Sequence, residues 1–189
     1  MVGAMSNPAG SRVVSVGDLS AATGLADAPW WVAHTRSRHE KTLADELEQF
    51  GIFCYLPLCQ RVTRSRTTRR VSRSIVPVFP GYLFFIADEE QRYRALQTNH
   101  IARTLPVTNR AGLISQLRQV DLALRSGEPI TRSGRLAEGD RVRVVAGALM
   151  GLEGVVTRWK SRVRIVLNVE ILGQSAVVEV DADLVERLE

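Results

Sequence analysis

The sequence has little cysteine, no long apolar run and no cluster of acids. Its two cysteines, Cys54 and Cys59, lie five positions apart. On a strand over 52–59 that odd separation puts them on opposite faces, where they can neither bridge nor share a metal. His34, His39 and His100 have no ligand spacing either. We therefore expect no metal, no cofactor, and idle thiols in a reducing compartment. Nothing approaches the ~20 apolar residues of a bilayer span, which argues against a membrane partner. The first 28 residues lack the basic and apolar regions of a signal peptide, so the chain reads as cytoplasmic. Their apolar residues follow no helical period, and 1–28 is expected to be a disordered tail. With no carboxylate cluster and no nucleophile beside a base, the protein is expected not to be an enzyme.

What is present is unevenly placed. Apolar residues make up 45% of the 189, enough for one or two modest cores. Residues 29–127 carry 15 Lys and Arg against eight Asp and Glu, whereas residues 136–189 carry seven against nine. Between Gln49 and Ala87 there is no acid at all. That stretch holds Arg61, Arg64, Arg66, Arg69, Arg70 and Arg73, whose six charges exceed the whole chain's net +5. Two halves of opposite sign suggest two units with different partners, the first facing something anionic.

Trp30–Thr35 reads as a strand. Ser37 and Glu40 have the spacing of a capping box, and Leu43, Ala44, Leu47 and Phe50 recur at helical spacing before Gly51. A strand over Ile52–Leu58, a hairpin loop for the arginines, and a strand over Ser74–Ile86 follow. Asp88 can cap a helix through Thr98, and Arg103–Val107 reads as a further strand. Leu113, Leu117, Val120 and Leu124 line one face of a helix that ends at Gly127. Residues 29–127 thus predict an α+β layer, an antiparallel or mixed sheet covered by helices. Residues 128–135 have the Pro, Gly and Ser of a linker. Over 136–189 the period becomes two. Five short strands, at 141–145, 154–159, 162–172, 175–180 and 184–188, predict a small β-barrel whose chemistry lies on its loops.

Two segments stand out. Val78-Phe79-Pro80-Gly81-Tyr82-Leu83-Phe84-Phe85 is rich in rings but broken by Pro-Gly, which belongs at an edge, a strand start or a bulge. It reads either as rings left uncovered for docking or as a core strand with a turn at Pro80-Gly81. In the second half, Gly139, Gly147, Gly151 and Gly154 punctuate a strand–loop–strand unit. Leu149, Met150 and Leu152 between them either plug the barrel or offer a partner protein a small apolar contact.

The segment 139–156 resembles a KOW motif. Phe79-Pro80-Gly81-Tyr82, with Trp30-Trp31-Val32, resembles the N-terminal domain of NusG proteins. The resemblance covers residues 29–189 in order. Cys54-Tyr55-Leu56-Pro57-Leu58, entering an arginine-rich hairpin, looks more like the specialised paralogs of the RfaH and polysaccharide-operon type. What this implies is an NGN-like domain over 29–127, an SH3-like five-stranded barrel over 136–189, and a monomeric transcription elongation and antitermination factor. By the resemblance, Phe79, Tyr82 and Phe84 rest on the clamp helices of the largest RNA polymerase subunit. Gln91-Arg92-Tyr93-Arg94 corresponds to a segment facing the opposite polymerase wall, and Arg36 and Arg38 match a region laid against the non-template DNA strand.

Arg64, Arg66, Arg69 and Arg70 have no aromatics among them to stack on bases. We expect them to contact upstream DNA or RNA phosphates without reading sequence. The bland alternatives are a solvated turn at Arg36 and Arg38 and a charged loop that keeps an edge strand soluble. Leu149, Met150 and Leu152 match the loop through which the family recruits a small-subunit ribosomal protein or Rho. The competing function is an RNA-binding ribosomal or ribosome-assembly protein that uses the barrel and the arginine loop.

Overall fold

In the computed structural model, which describes residues 15–19, 27–64, 70–127, 130–133, 139–159, 162–181 and 184–188, the chain divides into two units, Met1–Thr108 and Asn109–Glu189. The helix that the sequence places at the end of the first unit thus falls within the second of these two units.

The first unit is an antiparallel sheet of β1 (Ser15–Val16), β2 (Trp30–Thr35), β3 (Cys54–Arg64), β4 (Val71–Pro77), β5 (Tyr82–Ile86) and β6 (Ile101–Pro106). The strand order is β1-β3-β5-β2-β6, with β4 also on β3. Helices α1 (Glu40–Gln49) and α2 (Glu89–Gln97) belong to it. Leu43, Ala44 and Leu47 of α1 and Ala95 of α2 join one core with Ala33, Cys54, Leu56, Leu83, Phe85 and Ile101. Alternation turns Trp30, Val32, Tyr55 and Phe84 to the other face, and these are buried too. Strand β5, flanked by β3 and β2, is thus buried on both sides. That is why Leu83–Ile86 is continuously apolar rather than alternating.

Local signals held where no distant group competed. Asp88 forms a complete capping box with Gln91 at the start of α2. At α1 the box expected from Ser37 and Glu40 does not form. His39 is the N-cap, no side chain caps the turn, and the Glu40 carboxylate is used elsewhere. The expectation of a disordered tail fails at Ser15 and Val16, which pair with Pro57 and Leu56, and at the buried Leu19. Here β3 offers an unpaired edge, and Gly17 permits the approach: at its φ of +87° a Cβ would stand 1.9 Å from the Cys54 carbonyl oxygen. Residues 1–14 and 20–26 lie outside the described residues.

The second unit begins with α3 (Arg110–Arg125), capped by the Asn109 side chain. Strands β7 (Ile130–Ser133), β8 (Arg141–Val144), β9 (Glu153–Trp159), β10 (Arg162–Val169), β11 (Gln174–Asp181) and β12 (Val185–Arg187) form an antiparallel sheet in the order β12-β8-β9-β10-β11-β7. Helix α3 lies against β10, and its Leu113, Leu117, Val120 and Leu124 are buried, as their spacing requires. The stretch expected to be a linker contains β7, whose residues 130–133 pair with 175–178 of β11. Among the described residues the sheet therefore has six strands rather than five. Among the described residues its end strands β12 and β7 do not pair, so a closed SH3-like barrel is not what the second unit displays. No described helix is long and apolar enough to cross a membrane.

Candidate docking face and nucleic-acid interface

Pro80 and Gly81 stand immediately before β5, at the strand start. Three bonds fix this turn to β2, α1 and β3. Thr35 N donates to the Gly81 carbonyl at 2.8 Å, Gly81 N donates to Glu40 Oε1 at 2.7 Å, and Val78 N donates to the Pro57 carbonyl at 2.8 Å. Glu40 is buried, and the charge-assisted bond satisfies its carboxylate. Gly81 has φ +82°, a conformation that favours glycine.

The consequence for the rings is a correction. Phe79 is 1% exposed and Phe84 0%, so neither is an uncovered ring. Phe84 lies between Val32 of β2 and Tyr55 of β3, in the middle of the sheet. The second reading of the segment, a core strand after a turn, is the one adopted there. Tyr82 differs. It is half-buried at the start of β5, its ring 5.1 Å from that of His34, and Arg103 of β6 is the cross-strand partner of His34 on the other side. Tyr82, His34 and Arg103 therefore share one face of the sheet. Burial falls away along that face from Trp30, Ile86 and Val107 towards these three.

The basic residues lie at two places. Arg36 and Arg38, both exposed, occupy the β2–α1 turn and form no ion pair among the described residues. Arg61, Arg70 and Arg73 are exposed on the β3–β4 hairpin, in which Arg61 pairs with Ser74 and Val62 with Arg73. Successive residues alternate in direction, so the hairpin carries arginine on both faces. The Arg64 side chain, Arg66 and Arg69 lie outside the described residues. Helix α2 presents Tyr93 to solvent, while Arg92 is engaged. Its guanidinium lies 4.7 Å over the Trp31 ring, 2.8 Å from Glu89 Oε2 and 3.3 Å from Thr104 Oγ1.

Sequence reasoning did not find the contact between His39 and His100, 61 positions apart, or the Arg92–Trp31 stack; nothing in local spacing signals either. Cys54 faces the helix-covered core, where burial, with a smaller effect of Glu48 and Asp45, pushes its thiol up to about 12. In the second unit Leu149 and Leu152 are buried, at 4% and 0%, and Met150 alone of that trio is open, at 67%. Gly151 N donates to the Val144 carbonyl and Leu152 N to that of Leu149, which turns both leucines inward. Gly154 is required by close packing, since a Cβ there would stand 2.4 Å from Ile165 Cγ2. No group of three or more His, Cys, Asp or Glu among the described residues could hold a metal ion.

These features define a mixed α/β protein of two units, the first basic and exposed along one turn and one hairpin. Residues 28–121 match the family model of NusG, described as transcription termination factor nusG, and this match supports the NusG family. The matched segment runs through the first unit and into α3. No curated protein matches the chain. The NusG domain points to a transcription termination or elongation factor.

Proposed function

We propose that the protein is an elongation and antitermination factor of the specialised, RfaH-like kind, which seats its first unit on transcribing RNA polymerase. The observation that carries this reading is the NusG match over residues 28–121. The surface for the clamp helices is the less buried end of the sheet, with Tyr82, His34 and Arg103, while Phe79 and Phe84 support it from within. Arg36 and Arg38 neutralise phosphates of the non-template strand, and the hairpin arginines those of upstream DNA or RNA. Met150, the exposed apolar residue of the 147–151 turn, is the anchor offered to a second protein, a ribosomal protein of the small subunit or Rho. The factor works in the cytoplasm as a monomer and without catalysis. Differential affinity for the active polymerase state is enough to suppress pausing.

The test is single-round transcription on a template with strong pause sites. Added protein shortens the pauses, and charge reversal at Arg36 and Arg38 weakens the effect. Unchanged pausing at saturating protein would overturn the proposal.

A further inference from the structure

His100, distant in sequence, meets two side chains of the α1 region, the N-cap His39 and Glu46 within the helix. His39 Nδ1 lies 2.7 Å from His100 Nδ1, with ring centroids 4.8 Å apart. His100 Nε2 lies 3.1 Å from Glu46 Oε1. The backbone joins the same residues: Arg36 N donates to the His100 carbonyl at 2.8 Å, and His39 N donates to the Arg36 carbonyl at 3.1 Å. The turn over 36–38 is thus tied at its first residue to His100 and just past its last, through His39, to His100 again. At Arg38 it has φ 66°, a left-handed conformation that persists in a residue with a Cβ only where the surroundings over-determine it.

The bond between the imidazoles depends on proton count. An ionised carboxylate only accepts, so His100 Nε2 carries a hydrogen towards Glu46. The contact between the two Nδ1 atoms needs one hydrogen between them. A neutral pair supplies it from His39, and a pair with one extra proton supplies it as well. A further proton sets N–H against N–H and places two cations in contact, which breaks the bond. Charged and titratable groups on the turn and the adjoining elements are Arg36 and Arg38 on the turn, His34 on β2, Arg103 on β6, Arg94 on α2, and Glu40, Lys41, Asp45 and Glu46 on α1. Of these, Glu46 is hydrogen-bonded to the pair, Glu40 is committed to Gly81, Lys41 to the Ile75 carbonyl, and Arg94 lies over Phe50.

We infer that His39 and His100 form a one-proton latch that positions the Arg36–Arg38 turn, and that a second proton opens it. Its link to function rests on the proposed phosphate contact at these two arginines; the latch itself does not.

The experiment follows the Arg36, Ser37 and Arg38 amides of the full chain by NMR, from about pH 7.5 to about pH 5.5, the range over which imidazole changes charge. It is run on the wild type and on His39→Asn, whose side-chain amide falls near the Nδ1 position and does not titrate. In the wild type, exchange protection of the Arg36 amide, corrected for intrinsic pH dependence, falls on the order of tenfold with acid. In His39→Asn it holds. His34 is present in both proteins and so does not distinguish them. Flat wild-type protection, or the same acid response in both proteins, would overturn the latch. Affinity for a single-stranded oligonucleotide, measured in parallel, separates the two readings. A turn that opens with acid while affinity stays level keeps the latch and removes Arg36 and Arg38 from the nucleic-acid contact.

Discussion

Replacing Phe84 with alanine separates a core ring from a docking ring. Phe84 is 0% exposed on β5 and neighboured by Val32 and Tyr55 on the adjoining strands. Truncating such a ring costs about 3–5 kcal/mol, through lost transfer energy and the cavity left behind. That is a large part of the roughly 5–15 kcal/mol that holds a domain folded. At Tyr82 the ring is half-buried and its main ring contact is His34, so the same truncation costs about 1 kcal/mol. Urea unfolding followed by two-dimensional NMR reads the β2 and β5 amides apart from those of the second unit. With a urea slope of about 2 kcal/mol/M, Phe84→Ala lowers the first unit's midpoint by about 2 M and Tyr82→Ala by about 0.5 M. Equal and small shifts would refute the burial of Phe84 and return it to the surface.

Other outcomes follow from the same geometry. Iodoacetamide at mildly alkaline pH modifies Cys59 well before Cys54, whose thiol is pushed up to about 12, and equal rates would contradict its burial. Because the unfolded chain ionises that thiol first, the stability linked to Cys54 is whole below pH 9.0 and is lost as pH rises towards 12, which urea midpoints at graded pH measure. Reversing both Arg36 and Arg38 to glutamate lowers the salt slope of single-stranded DNA binding by about 1.4, the share of two phosphate contacts, in a fluorescence-anisotropy titration. Leu152→Ala destabilises the second unit by about 2–5 kcal/mol, whereas Met150→Ala changes it by less than about 0.5 kcal/mol, both read by thermal unfolding.

How far the fold was legible depended on the distance between the groups that decide it. The Asp88–Gln91 cap and the buried stripe of α3 are local, and both formed where their spacing places them. Pro80-Gly81 was open to an edge, a strand start or a bulge within one strand over Ser74–Ile86; the chain instead forms two strands there, β4 and β5, with Pro80-Gly81 just before the second. Whether the following rings are covered depends on β5 lying between β3 and β2, an order that no run of residues encodes. Glu40 had the spacing of a capping box but instead met the Gly81 amide, 41 positions away. The Pro, Gly and Ser around Ile130–Ser133 resemble a linker in composition, yet the backbone there completes a ladder with β11. Exposure of arginine was easier to foresee, because unpaired charge stays in water. The His39–His100 pair, created purely by chain crossing, was not.

The contact with polymerase is tested most directly by capture of the purified enzyme on immobilised protein, comparing wild type with the double variant Tyr82→Ala, Arg103→Glu, each first shown to be folded. The account predicts strong retention by the wild type and a loss of at least about tenfold with the variant. Equal retention by both proteins would contradict it.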